Sequence, residues 1–198
     1  MALNLDHLTA RIRGCTLCAE RFAATHTAHK PRPVLWLSQA APILIIGQAP
    51  GARVHKSGKP FSDPSGDRLR DWLGVRGETF YDKSRFAILP MAFCFPGYNA
   101  KGADLPPPPI CAKTWQAEAM RHHKQTKLVL LVGGYAQKYH LNTSNVTQTV
   151  QAWRDHWPRV VPLPHPSWRN TGWLNKNPWF GAELLPLLRK RVTELLKE

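Results

Sequence analysis

Three short stretches and four cysteines carry the residue types from which chemistry can be built. "ILIIGQAPG" at 43–51 ends four aliphatic residues on Gly47 and places a lone amide, Gln48, before Ala49, Pro50 and Gly51. An amide held at a strand tip by a Pro-Gly break can orient a water or a ligand. "GKPFSDPSG" at 58–66 offers an aromatic face, Phe61, beside a carboxylate, Asp63, and a hydroxyl, Ser65. "LPHPSWRN" at 163–170 sets His165 between two prolines after an aliphatic run, an odd place for a core histidine. Cys15 and Cys18 form a C-x-x-C, with Cys94 and Cys111 far downstream. In a cytosolic chain this pattern favours a metal site over disulfides. Thiolate-only ligation suits either tetrahedral zinc or a [4Fe–4S] cluster, and spacing does not choose between them.

The elements that must position these residues follow from hydrophobic pattern. Aliphatic runs at 42–46, 86–93, 127–134 and 159–163 read as buried strands. Helical patterns fall at 5–13, at 65–73 (with Asp67, Arg68, Arg70 and Asp71 facing solvent), from Ala112 to about Lys124, over "YAQKYHL", and over "ELLPLLRKRVTELL". Four consecutive prolines keep 95–110 a loop. Continuous aliphatic strands alternating with helices imply a parallel sheet covered on both faces. The expected fold is one domain over 1–198, a three-layer α/β/α sandwich around a mainly parallel four-stranded sheet. Ligands in such sheets bind beyond the carboxyl ends of the strands, where Gln48 and His165 sit.

Composition narrows the partner. The net charge is +14, with the basic excess spread over both halves of the 198 residues, which points to a polyanion such as nucleic acid. Several of the eight tryptophans, Trp153, Trp157, Trp168, Trp173 and Trp179, lie in polar company, which suits base stacking as well as core filling. His122 and His123 read as a solvated helix face, and Asn177-Pro178 as a helix N-cap with its first-turn proline. No apolar run is long enough to span a bilayer, and "MALNLDHLTARIRG" lacks a signal-peptide core, so a cytoplasmic monomer is expected.

Taken together, "GQAPG", "GKPFSDPSG" and "LPHPSWRN" resemble the uracil-DNA glycosylase superfamily, in the same order over roughly residues 10 to 190. Cys15, Cys18, Cys94 and Cys111 match the ligand pattern of its iron–sulfur branch, often called family 4. The resemblance implies a [4Fe–4S] clamp and a base-excision site acting on single- or double-stranded DNA. By position, Gln48 with the Gly47 and Ala49-Pro50-Gly51 backbone would lie against the sugar and hold water. Phe61 would stack on the extruded base, and His165 would hydrogen-bond its O2. Ser167, Trp168, Arg169 and Asn170 match the loop that enters the DNA, with Ser65 and Lys56 expected on phosphates.

The chain departs from the family pattern at two places. Many family 4 members carry glutamate where this chain has Gln48, and acids where it has Val54 and His55; Asp63 is the nearby carboxylate that could substitute. Relatives usually read the uracil edge with an asparagine where this chain has Pro90, and Asn99 could supply an amide from the next loop. The rival expectation is a non-catalytic nucleic-acid binder that kept fold and cluster. A nucleotide-transfer enzyme on the same sheet lacks a G-x-G-x-x-G or P-loop lysine to support it.

Overall fold

A computed structural model of the chain describes residues 4–197. In chain order the elements are α1 (Leu5–Arg13), α2 (Ala19–Ala23), β1 (Ile43–Ile46), α3 (Ala52–Ser57), α4 (Pro64–Leu73), α5 (Gly77–Phe80), β2 (Phe86–Ile88), α6 (Pro109–Met120), β3 (Leu128–Val132), α7 (Gly134–Leu141), α8 (Val146–Gln151), β4 (Val160–Leu163), α9 (Thr171–Lys176) and α10 (Leu185–Leu195). A π-helical turn over Phe180–Leu184 leads into α10. Among the described residues, no helix is long and apolar enough to cross a membrane.

The four strands form one parallel sheet in the order β2-β1-β3-β4. Their aliphatic runs make sense because both faces are covered. Ile43, Ile45, Leu128, Leu130 and Val161 point to one core, shared with Leu69 and Trp72 of α4 and Leu188 and Val192 of α10. Leu44, Ile46, Ala87 and Leu131 point to the other, shared with Leu8 and Ile12 of α1, Trp115 of α6 and Ala136 of α7. This is the expected three-layer α/β/α arrangement, and it aims every strand's carboxyl end at one edge of the molecule.

Several boundaries differ from the sequence reading for local reasons. The second strand is shorter than 86–93. Ladder bonds do continue past it, from Leu89 N to Ile45 O, Met91 N to Gly47 O and Ala92 N to Gln48 O, but Pro90 has no N–H to contribute. The sixth helix starts three residues earlier than expected, because Pro109 takes the first helical position, where a missing donor costs nothing. The tryptophans divide unevenly: Trp153 is core, Trp157, Trp173 and Trp179 are half-buried against it, and Trp168 alone stays open, 72% exposed. Asn177 does not cap a backbone N–H with its side chain. Its amide donates to Trp173 O and accepts from the Trp179 indole, joining α9 to the last helix.

His122 and His123 are the clearest correction: both are buried, under the end of α6 rather than on its solvated face. Burial, then the neighbouring His122, pushes the His123 imidazole down to about 4, against a smaller opposing contact from the Ser38 backbone. An unfolded histidine titrates near 6.5, so the unfolded chain takes up this proton first as pH falls. The stability contribution is complete above about pH 6.5 and declines toward pH 4, by about 3 kcal/mol. Urea unfolding at pH 7 and pH 4.5 should show that decline, and His123→Gln should flatten it. An unchanged slope in the variant would assign the acid sensitivity to other groups.

Candidate active site

A cavity of about 580 Å³ opens at the carboxyl ends of the strands, within the usual size range of small-ligand sites. Gly47, Gln48, Ala49, Pro50 and Gly51 from the end of β1 line it, with Phe61, Asp63 and Ser65 from the turn into α4. His165, Ser167, Trp168, Arg169 and Asn170 close it from beyond β4. Three distant parts of the sequence therefore share one chamber. Lys56 and Asn99 are not among its lining residues. Lys56 is exposed on α3, where its carbonyl accepts from Arg32 at 2.8 Å. The Asn99 side chain is engaged in its own turn, accepting from Lys101 N at 2.9 Å and Ala103 N at 3.0 Å.

Phe61 is held by its backbone. Its φ of +53° is left-handed, a conformation a bulky residue adopts only when its surroundings enforce it. Its carbonyl accepts from Arg70 Nη1 and from the Tyr81 hydroxyl, each at 3.0 Å. Arg70, expected to face solvent, is instead largely buried and paired with Asp67 at 2.6 Å. The Phe61 ring lies over the end of β1, so close that a β-carbon on Gly47 would stand 3.3 Å from its tip. Asp63 caps α4 through Gly66 N at 3.1 Å.

The loop after β4 is equally constrained. Ser167 N donates to His165 Nδ1 at 3.2 Å, which assigns the ring proton to Nε2. Burial lowers the His165 pKa below the ordinary histidine value, against the opposing charges of Asp63 and Asp104. The ring is therefore a neutral hydrogen-bond donor near pH 7. Asn170 Nδ2 donates to His165 O at 2.7 Å, and Arg68 Nη1 reaches from α4 to Ser167 O at 3.0 Å. Arg68 thus also leaves the solvated role expected for it. Gly133, with φ +85°, packs at the end of β3 where a β-carbon would lie 3.5 Å from His165. The exposed Trp168 stands out from this braced loop, with the Arg169 guanidinium 5.8 Å from its ring.

Four further polar or aromatic lining residues escaped the sequence reading: Trp36, Arg53, Tyr98 and Asp104. Arg53 follows the Pro-Gly break by two residues, a position that could have marked it. Asp104 had a weaker signal, the turn-forming "NAKGAD". Pro90 also lines the cavity, at the position where the family resemblance implies an amide, and its carbonyl accepts from buried Gln116 at 2.7 Å.

All four cysteines are free thiols and line a second, apolar cavity with Ile12, Phe22, Phe93 and Trp115. The C-x-x-C between α1 and α2 is thereby brought against Cys94 and the first turn of α6. Burial pushes the Cys94 thiol up to about 12 and the Cys111 thiol up to about 11. Among the described residues, no group of three or more Cys, His, Asp or Glu is placed to hold a metal ion.

A parallel sheet covered on both faces, with its chamber at the carboxyl ends of the strands, places the protein among the open α/β folds, which bind ligands at that edge. The family model of the uracil DNA glycosylase superfamily matches residues 36–189, and the chain belongs to that superfamily. The match includes Cys94 and Cys111 and begins after Cys15 and Cys18. Membership supports a DNA glycosylase type of function and, with it, binding to DNA.

Proposed function

We propose that the protein is a monofunctional DNA glycosylase that extrudes a deaminated base, uracil foremost, and hydrolyses its N-glycosidic bond in base-excision repair. The observation that carries this reading is the convergence of Gln48, Phe61 and His165 on one chamber. The extruded base stacks on Phe61, while Trp168 on its braced loop fills the space left in the duplex. Breaking the bond leaves a cationic sugar and an anionic base. The His165 Nε2–H donates to the developing oxyanion and keeps its proton, contributing roughly 3–4 kcal/mol. Gln48 orients the water by hydrogen bonding. Ser65, Ser167, Arg169 and Lys56 contact phosphates and set the register.

The test is incubation of purified protein with uracil-, hypoxanthine- and xanthine-containing oligonucleotides, single- and double-stranded, followed by alkali. Strand breaks at the modified base are expected, with uracil cleaved fastest. Intact strands across the panel would reject catalysis. Pro90 favours one second reading, a nucleic-acid binder without turnover, because that wall of the chamber presents no side-chain amide to a base edge. It requires salt-sensitive binding with no product on any substrate.

We also propose a [4Fe–4S] cluster on Cys15, Cys18, Cys94 and Cys111. What supports it is that four thiols line one apolar chamber, a thiolate-only donor set of the kind that holds such clusters. The group would act as a clamp, fastening α1 and α2 to the sheet domain. Protein purified without oxygen should absorb broadly near about 400 nm and carry about four irons per chain. Cys94→Ala should abolish that absorbance and lower the melting temperature; colourless protein with stoichiometric zinc would replace the cluster assignment. The net charge of +14 suits a partner such as DNA, and we place the protein in the cytoplasm as a monomer.

A further inference from the structure

The chamber's acid and base inventory leaves one carboxylate without a task. Asp63 and Asp104 are the carboxylates in its lining. Asp63 is engaged as the N-cap of α4, with one oxygen on Gly66 N. The Asp104 carboxylate has no hydrogen-bond or ion-pair partner among the described residues, although Arg169, His165 and Asp63 all lie near enough to act on its charge.

Its position is built rather than incidental. Tyr98 and Asp104 pair as an antiparallel bridge, and Asn99 N donates to Ala103 O at 2.9 Å. Leu105 N donates to Gly97 O at 2.9 Å on the far side of the same hairpin. The Asn99 side chain closes the tip by accepting from Lys101 N and Ala103 N. The amide that the sequence suggested for base reading therefore stiffens the hairpin that carries Asp104.

We infer that Asp104 is a catalytic residue, the carboxylate that faces the cationic sugar and accepts the proton of the attacking water, a role that the Gln48 amide cannot fill. The inference rests on the glycosylase reading for its reaction. The C1′–N bond breaks and its electron pair leaves with the base, which His165 stabilises as an anion. Water bonds to C1′ through oxygen, and its surplus proton passes to Asp104 and on to solvent. The departed base takes one proton from solvent, so charge and atoms balance. Desolvation raises the Asp104 carboxyl above its ordinary range, partly offset by Arg169 and His165, which makes it a stronger base than a free carboxylate.

The experiment compares wild type with Asp104→Asn in two measurements. The first is single-turnover excision of uracil. The second is affinity for duplexes carrying a cationic pyrrolidine abasic analogue against a neutral tetrahydrofuran one. Wild type should prefer the cation by roughly 10–100-fold, and the variant should lose that preference and about 10²-fold in rate. If wild type excises uracil and the variant matches it in rate and preference, Asp104 is eliminated while the glycosylase reading stands. If wild type excises nothing but shows a cation preference that depends on Asp104, the site assignment stands and the glycosylase reading falls. Absence of any preference in wild type, or its survival in the variant, overturns the inference.

Discussion

His165→Ala should slow base excision by about 10²–10³-fold while leaving the salt dependence of DNA binding close to wild type. The reason is the division of labour in the loop after β4. The imidazole is the neutral donor proposed for the leaving base, whereas the chain around it is braced by Arg68 on Ser167 O and by Arg68 on the Thr171 hydroxyl. Truncating the ring removes the donor and the acceptor for Ser167 N, but leaves those braces. Single-turnover rates and filter binding at several salt concentrations separate the two effects. A large affinity loss with unchanged turnover would make His165 a binding residue. His165→Gln, which keeps a donor without the ring, should recover part of the rate.

Gly66→Ala should produce the largest structural effect of any single methyl group near the site. A β-carbon there would stand 1.8 Å from the Phe61 carbonyl oxygen and 2.5 Å from its carbonyl carbon. That carbonyl cannot simply swing away, because Arg70 and the Tyr81 hydroxyl hold it and Tyr81 also donates to Pro60 O. Relief requires moving backbone at the tightest turn of the site. The expected destabilisation is about 2–3 kcal/mol, or roughly 5–10 °C in melting temperature for a chain of this size. Excision should fall as well, because Phe61 would leave its place over Gly47. Gly77→Ala, with nothing within 4 Å of the added carbon, should change stability by less than about 0.5 kcal/mol. A Gly66→Ala protein with wild-type melting and excision would contradict the described packing around Phe61.

The layers of the fold were legible because buried parallel strands announce themselves. "ILII" and "LVLLV" admit no solvated face, and Gly or Pro follows each. Convergence of "GQAPG" and "HPS" also followed from their position beyond strand ends, whereas "KPF", which follows α3, was brought to the site by the family resemblance. What escaped reading depended on which partner a polar side chain finds at long range. Arg68 and Arg70 have the spacing of a solvated helix face, yet both reach backbone carbonyls of the site. His122 and His123 sit in a polar run whose burial comes from the Ser38–Gln39 segment, Gln39 bonding His122 at 2.9 Å. Asn99 looked available for a ligand until its own turn supplied both donors. Asp104 follows a four-residue gap of small and basic residues that gives no hint of which side the hairpin presents.

In the proposed reaction a nucleobase leaves its stack and enters the chamber between Phe61 and His165. A crystal structure with a duplex carrying 2′-fluoro-2′-deoxyuridine, which resists excision, examines this directly. The expected complex has the uracil ring parallel to the Phe61 ring, its O2 within hydrogen-bond distance of His165 Nε2, and Trp168 in the gap left in the duplex. Uracil still paired in its helix, or seated elsewhere on the basic surface, would contradict it.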